Sequence, residues 1–382
     1  MSEFKNLPSG WKVVRLGEIC NVKQGLQIPI SERFCENAQN RYFYITNEFL
    51  KEKSEVKYYI ENPPESTICF CDDILMTRTG NTGMVVTNVF GVFHNNFFKI
   101  AYDRQLIKKE YFVFCLTGSK IQSEILKRAG SSTIPDLNHS DFLSIKIPLP
   151  PLDEQEKIAE ILSTWDEAIN LTINLIESKK QFKKALMQNL LTAKIRFPQF
   201  KEKWKEIKLG EICEIQTGKL NANAMIQGGR YKFFTCAKEV FEIDDYVFDT
   251  EAILVSGNGE NVGYIHYFNG KFNAYQRTYV LDKFTENILF IKYFLEFALK
   301  RKIEIEKKDG NTPYIVLSTI FGFIVKLPNL KEQQKIAEVL TACDDEINLL
   351  NLKLENLKKQ KQGLMQKLLK GEMRTCYVKK AM

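Results

Sequence analysis

Glu154-Gln-Glu-Lys-Ile-Ala-Glu160 returns with one change as Glu332-Gln-Gln-Lys-Ile-Ala-Glu338, 178 residues later. The match extends through Ile169 and Ile347, through Leu186-Met-Gln188 and Leu364-Met-Gln366, and closes on Arg196 and Arg374. From this block the apolar residues step alternately by four and three: Ile336, Leu340, Cys343, Ile347, Leu350, Leu354, Leu357, then Leu364 and Leu368, with Lys361 between. The same register in the first copy reads Ile158, Leu162, Trp165, Ile169, Ile176, Leu186 and Leu190, with Thr172, Lys179 and Lys183 in the remaining places. A seam with this spacing is that of a coiled coil. Pro150-Pro151 and Pro328 mark the starts, and Gly371 follows the second segment. Each segment predicts a helix of about 39 residues, about 58 Å long at about 1.5 Å per residue.

Charge sets the pairing. The first helix is acidic early (Asp153, Glu154, Glu156, Glu160, Asp166, Glu167) and basic late (Lys179, Lys180, Lys183, Lys184). The second repeats this, from Glu332, Glu338, Asp344, Asp345 and Glu346 to Lys353, Lys358, Lys359, Lys361 and Lys367. A parallel pair sets acid against acid, whereas an antiparallel pair sets acid against base, and the same polarity suits each helix dipole. The prediction is an antiparallel pair.

A second repeat precedes the helices. Trp11-Lys-Val-Val-Arg-Leu-Gly-Glu-Ile-Cys20 matches Trp204-Lys-Glu-Ile-Lys-Leu-Gly-Glu-Ile-Cys213 at an offset of 193, so the second copy is 15 residues shorter between its two matched blocks. Each half is a variable globular region followed by a near-constant helix. The divisions are 1–150, a first globular region; 151–200, a long helix and linker; 201–328, a second globular region; and 329–382, a long helix and C-terminal segment. The expected fold class is α+β, with two α/β regions separated by an antiparallel two-helix coiled coil in a pseudo-two-fold repeat. Antiparallel pairing predicts the regions at opposite ends of a rod and residues 370–378 packed near the first region, as 192–200 pack near the second.

The composition is that of an ordinary globular chain: 382 residues, 44% hydrophobic and 26% charged. No apolar run approaches the ~20 residues of a membrane span, and the N-terminus has no apolar signal core. Nine cysteines, an odd number without a CxxC pair, fit reduced thiols and a cytoplasmic location. Three separated histidines (His94, His139, His266) give little support for a zinc site. The net charge of +7 is spread thinly, from +2 over residues 1–150 to +4 over 329–382, which permits a local nucleic-acid patch without demanding one.

Both globular regions alternate short β-type runs with turns. Strands are predicted at 42–45, 68–70, 74–76 and 83–86, then a helix near 109–128; in the second region at 231–234, 252–255 and 264–267, then a helix near 288–302. In each, a strand runs into a polar glycine loop: Thr77-Arg78-Thr79-Gly80-Asn81 and Ser256-Gly257-Asn258-Gly259-Glu260-Asn261. A second pair is Gly130-Ser131-Ser132-Thr133 and Gly310-Asn311-Thr312. Gln24, Thr217 and Lys219 flank the matched Gly25 and Gly218, and Gln276-Arg277 adds a further candidate. Glycine lets a backbone approach phosphate, and hydroxyl, amide and guanidinium groups bond phosphate or base edges. Arg78 suits guanine or phosphate; Asn81, Asn258 and Asn261 suit adenine. Any one such loop is as readily a plain turn; recurrence at matched places favours a function.

Catalytic motifs do not emerge. Asn62-Pro-Pro-Glu65 has glutamate where an amino-methyltransferase motif needs an aromatic ring. Gly257-x-Gly259-x-x-x-Gly263 is one residue off a dinucleotide fingerprint and no helical pattern follows it. Pro135-Asp136 lacks the acidic-x-Lys triplet of a nuclease, and Asp72-Asp73 reads as a turn. No nucleophile has an identifiable histidine partner, and no cofactor is indicated.

The chain, over residues 8–378, resembles the specificity (S) subunit of type I restriction–modification systems. The residues that carry the resemblance are Trp11…Leu16-Gly-Glu-Ile19 and Trp204…Leu209-Gly-Glu-Ile212, with Ile147-Pro-Leu-Pro-Pro-Leu-Asp-Glu-Gln-Glu-Lys-Ile158 and Lys326-Leu-Pro-Asn-Leu-Lys-Glu-Gln-Gln-Lys-Ile336, each leading into a long helix. The resemblance implies two target recognition domains, each reading half of a split double-stranded DNA site, with the helices setting the unread gap. It implies docking of two methyltransferase (M) subunits, which hold S-adenosylmethionine, and of restriction (R) subunits through them. The chain itself is then not an enzyme. Two-fold related readers address half-sites ~34–36 Å apart, and because the two regions differ the target is asymmetric. The competing readings are a protein-interaction scaffold without DNA and, less favoured, an autonomous enzyme.

Overall fold

The heptad segments form two uninterrupted helices, Leu152–Leu190 and Leu330–Leu369, in the computed structural model. Described are residues 7–51, 56–130, 135–306 and 314–375. The chain divides into two units, one of residues 1–172 and 353–382, the other of 173–352. Each unit therefore holds one globular module, half of one long helix and half of the other.

Within each unit the helix halves run antiparallel, as the charge polarity predicts. In the first unit, Ile158 and Leu162 share a core with Leu368, and Asp166 accepts from Lys361. In the second, Leu190 shares a core with Ile336 and Leu340, Lys183 donates to Asp344 at 2.6 Å, and Lys179 lies 2.7 Å from Glu346. The seam register holds. Ile158, Leu162, Ile176, Leu190, Ile336, Leu340, Ile347 and Leu368 are buried, while Trp165, Ile169, Leu186, Leu350, Leu354, Leu357 and Leu364 are half-buried. The three seam lysines are each matched by a carboxylate of the other helix, which explains how polar residues sit there. Thr172 is also buried and returns its hydroxyl to Ala168 O at 2.7 Å.

A reciprocal clasp ties the helix ends. Arg374, beyond the second helix, donates through Nε and Nη2 to Glu154 at the start of the first, at 2.7 and 3.1 Å. Arg196, beyond the first helix, does the same to Glu332 at the start of the second, at 2.9 and 2.7 Å. Both glutamates are almost fully buried, which requires such a charged partner. The neighbouring glutamines serve the same joint. Gln155 bonds the carbonyls of Leu106 and Pro150 and accepts from Lys108 N, and Gln333 bonds Pro328 O and accepts from Asn287 N. Gly371 packs on Pro8 and Trp11, so the C-terminal segment joins the first module as predicted.

Each module opens and closes on an antiparallel two-stranded ribbon: Lys12–Arg15 with Lys146–Leu149, and Lys205–Lys208 with Ile324–Leu327. Above it the second module has one six-stranded sheet, whose ten-residue strand Ile265–Ala274 pairs antiparallel with Phe248–Ser256 and parallel with Tyr231–Phe234. In the first module that long strand is two short ones, Val85–Val86 and Gly91–Phe93, its antiparallel neighbour is likewise two, Ile68–Cys69 and Ile74–Thr77, and the sheet becomes two of four strands. Asn88, in the interruption, and Gly91, which starts the second short strand, have positive φ (59° and 155°). Other boundaries also depart from prediction. The helix expected over 109–128 is two, Lys109–Thr117 and Ser119–Ala129, because Gly118 is extended at φ −63°, ψ 137°. The helix near 288–302 runs on to Glu306.

Candidate nucleic-acid interface

The two glycine loops occupy the same place in the two modules. Arg78 N donates to Asn96 O at 2.7 Å and Gly257 N to Arg277 O at 2.8 Å; Leu137 N donates to Arg78 O at 3.0 Å and Ile315 N to Gly257 O at 2.8 Å. Gln24 is opposite Phe98 and Thr217 opposite Tyr279 in the flanking strand pairs. Gly83 N to Thr77 O and Gly263 N to Ser256 O close the loops, both at 2.8 Å. The offset between equivalent residues is 193 at Gln24 and Thr217 but 179 at Thr77 and Ser256. Most of the second copy's shortening therefore lies between these points, away from the loop.

In the second module Thr217, Gly257, Gln276, Arg277, Tyr279 and Ile315 line an open cleft of about 300 Å³. Three sequence-predicted residues (Thr217, Gln276, Arg277) thus converge. Gln276 Nε2 donates to Asn221 Oδ1 at 3.2 Å, and Arg277 is exposed. Lys219 is exposed beside them, and Asn258 and Asn261 are half-buried in the loop.

In the first module the equivalent positions form a hydrogen-bonded cluster. Arg78 donates to Asp136 through Nε at 3.0 Å and Nη2 at 2.8 Å, and through Nη1 to Gln24 Oε1 at 3.3 Å. Thr79 Oγ1 donates to the same carboxylate at 2.8 Å, and Gln24 Nε2 to Asn95 O at 3.0 Å. The Arg78 hydrogen bonds, opposed by some burial and helped by Thr79, hold the Asp136 carboxyl below the usual carboxylate range; the same bonds raise Arg78. Asn81 is exposed.

Two predicted residues are not at the surface. Thr77 is fully buried; its hydroxyl accepts from Met84 N at 2.9 Å and donates to Asn81 O, so it shapes the loop. Ser256, its equivalent, is fully buried with Oγ unpartnered among the described residues. Both end central strands that are buried on both faces, and their polarity hid this. The glycines at 25 and 218 also differ from expectation: a Cβ would lie 2.3 Å from His94 O or 1.9 Å from Ala274 O, so they admit a neighbouring strand rather than a phosphate. Ser131, Ser132, Thr133, Asn311 and Thr312 lie outside the described residues.

Asp136 was the residue missed. It is 58 positions from Arg78, and its only local signal, Pro135-Asp136, is an incomplete nuclease motif that says nothing of an arginine partner. The Asp72-Asp73 pair is ion-paired, Asp72 to Arg104 and Asp73 to Lys99. Among the described residues no His/Cys/Asp/Glu group could hold a metal ion, and no helix is long and apolar enough to cross a membrane. Cysteines 20, 69 and 115 are buried and their thiols pushed up to about 12 by burial, the opposite of an activated nucleophile.

A family model for the type I restriction modification DNA specificity domain matches twice, over residues 8–178 and 201–359, once on each repeat. The chain belongs to this family. It is a specificity subunit and not an enzyme. It is 38% identical over 174 residues to the type I restriction enzyme EcoDI specificity subunit of Escherichia coli, a match covering 44% of this chain and 38% of that one. It is 25% identical over 405 residues to the MjaVIII specificity subunit of Methanocaldococcus jannaschii, covering 96% and 94%. The crystal structure of a type I restriction–modification S subunit from M. genitalium shares the fold at a TM-score of 0.64 and 19% identity, covering 97% of this chain and 98% of that one.

Proposed function

We propose that this chain gives a type I restriction–modification complex its DNA sequence specificity, reading two different half-sites of double-stranded DNA, one with each module. It docks two methyltransferase subunits, through which restriction subunits join, and works in the cytoplasm. Methylation and cleavage belong to those partners. The observation that carries this reading is the matched pair of glycine loops, held by equivalent backbone hydrogen bonds and different in side chains. Gln24, Arg78, Thr79 and Asn81 serve the first half-site; Thr217, Lys219, Asn258, Asn261, Gln276 and Arg277 the second. Their amide, hydroxyl and guanidinium groups suit base edges and phosphates. The sequence adds Ser131, Ser132, Thr133, Asn311 and Thr312 as candidates.

The test joins the chain to its methyltransferase subunit and sequences the methylated adenines. A two-part asymmetric motif that requires this chain is expected, and Arg277→Ala should alter one part only. DNA binding should weaken steeply with salt. A flat salt response with no motif would favour a protein scaffold.

A further inference from the structure

The clefts differ most in where the arginine comes from. In the first module it stands at position 78 with asparagine across the sheet at 96; in the second, glycine stands at 257 with Arg277 across from it. A Cβ on Gly257 would lie 2.4 Å from the backbone Arg277 O, so the second module admits no side chain where the first carries Arg78. The supports differ too. Arg78 is gripped side-on by Asp136 and its side chain is 24% exposed. The residue matching Asp136 is Tyr314: Asp136 bridges to Thr79 as Tyr314 does to Asn258. Arg277 is bonded through its carbonyl, by Gly257 N at 2.8 Å and Cys236 Sγ at 3.3 Å.

A guanidinium carries five N–H groups. Asp136 occupies the Nε–Nη2 edge, and Gln24 engages Nη1. That leaves one hydrogen on each terminal nitrogen, and the Nη2 hydrogen points away from the carboxylate along the arginine's far end. The Nη1 and Nη2 hydrogens at that end are the two parallel donors that match O6 and N7 of guanine, with Gln24 on Nη1 the contact that a base would share or displace. The bidentate carboxylate also neutralises the charge, which lowers the general attraction to phosphate and leaves a directional donor pair.

We propose that Asp136 is a positioning residue for base reading: it locks Arg78 into a fork that selects guanine in the first half-site, while Arg277 in the second module, with no such carboxylate among the described residues, reads less strictly. This rests on the clefts being the DNA-facing surfaces. The experiment uses the full chain with its methyltransferase subunit and compares unaltered chain, Asp136→Ala, Asp136→Glu, Asp136→Asn and Arg78→Ala by the sequenced methylated motif and by affinity for the unaltered motif. Asp136→Ala should relax one guanine position of one half-site while the other half-site stays unchanged, with affinity falling less than about tenfold; Arg78→Ala should lose the same position with a loss of roughly 5- to 150-fold. Asp136→Glu should restore strictness in part, and Asp136→Asn, which can engage only part of the fork, should fall between. Relaxation confined to that position cannot arise from general unfolding, which would lower methylation at every site alike. An unchanged motif for Asp136→Ala, or a uniform loss that Asp136→Glu does not relieve, would overturn the inference. A motif in the unaltered chain that contains no guanine in either half would also overturn it. No motif at all would overturn the DNA-reading function itself.

Discussion

The two modules were built on one frame and then filled differently. Both rest on the same two-stranded ribbon, carry the same glutamate–arginine clasp and fold their glycine loop over the same backbone hydrogen bonds. They diverge where side chains face outward, with arginine on opposite strands and a sheet that is continuous in one module and broken in the other. The lesson is physical. Positions that satisfy buried backbone or buried charge cannot drift, because each unpaired group costs stability. Positions at the cleft rim carry no such penalty and can record different DNA sequences.

The clasps offer the sharpest way to break the comparison, since one is better supported. Glu154 accepts from Arg374 and also from Trp11 Nε1 at 2.9 Å. Glu332 has Arg196, but Trp204 Nε1 is buried without a partner among the described residues. Removing Arg196 strands a buried carboxylate and should cost about 3 kcal/mol or more, whereas Arg374→Ala should cost less because the indole bond remains. Urea unfolding of the two variants measures this; equal losses would show that the indole adds nothing.

The helix ends give a smaller effect of opposite sign. Gly371 follows the second helix at φ +72°, and Ala193 holds the equivalent place after the first at φ +57°. Left-handed backbone costs a non-glycine residue about 1 kcal/mol. Ala193→Gly should therefore stabilise the chain by several tenths of a kcal/mol. Gly371→Ala should destabilise it by more than 1 kcal/mol, because a Cβ there would also sit 2.6 Å from Pro8 Cδ. Thermal melts with no gain for Ala193→Gly would refute the equivalence of the two caps.

The mildest test uses acid. Burial lowers the pKa of His94 and His139 in the first module and of His266 in the second. Each folded form therefore keeps its histidine neutral to lower pH than the unfolded chain does. The unfolded state binds more protons below about pH 6.5, so stability is full above that pH and falls on acidification toward pH 5. With two such groups against one, the first module should lose more. Hydrogen exchange resolved by module at pH 7 and pH 5.5 reads the difference; a greater loss in the second module would contradict it.

Much of this frame could be read from the sequence because it is written in spacing. The heptad steps fixed the helix register, and the acid-to-base polarity fixed the pairing sense later seen in Lys183–Asp344 and Lys361–Asp166. The matched Trp and Glu-Gln blocks lie where the ribbons and the clasp stand, although neither the ribbon strands nor the role of Glu154 and Glu332 as buried partners was read from them. The cleft was less legible. Arg78 meets Asp136 only after 58 residues fold back, and no local pattern encodes that contact. Ser256 looked like a loop hydroxyl because its neighbours are glycine and asparagine, yet it ends a strand buried on both faces. Gly118 splits a helix that periodicity ran through.

The interlocked clasp also means that the order of parts along the gene is not dictated by the fold. Arg374 returns to the first module as Arg196 does to the second, and Gly371 lies against Pro8. A permuted polypeptide, cut after Pro198, beyond the clasp arginine, and spliced from 375 back to 7 by a short flexible tether, would keep every one of these contacts. Which module is translated first is thus a matter of ancestry rather than mechanics.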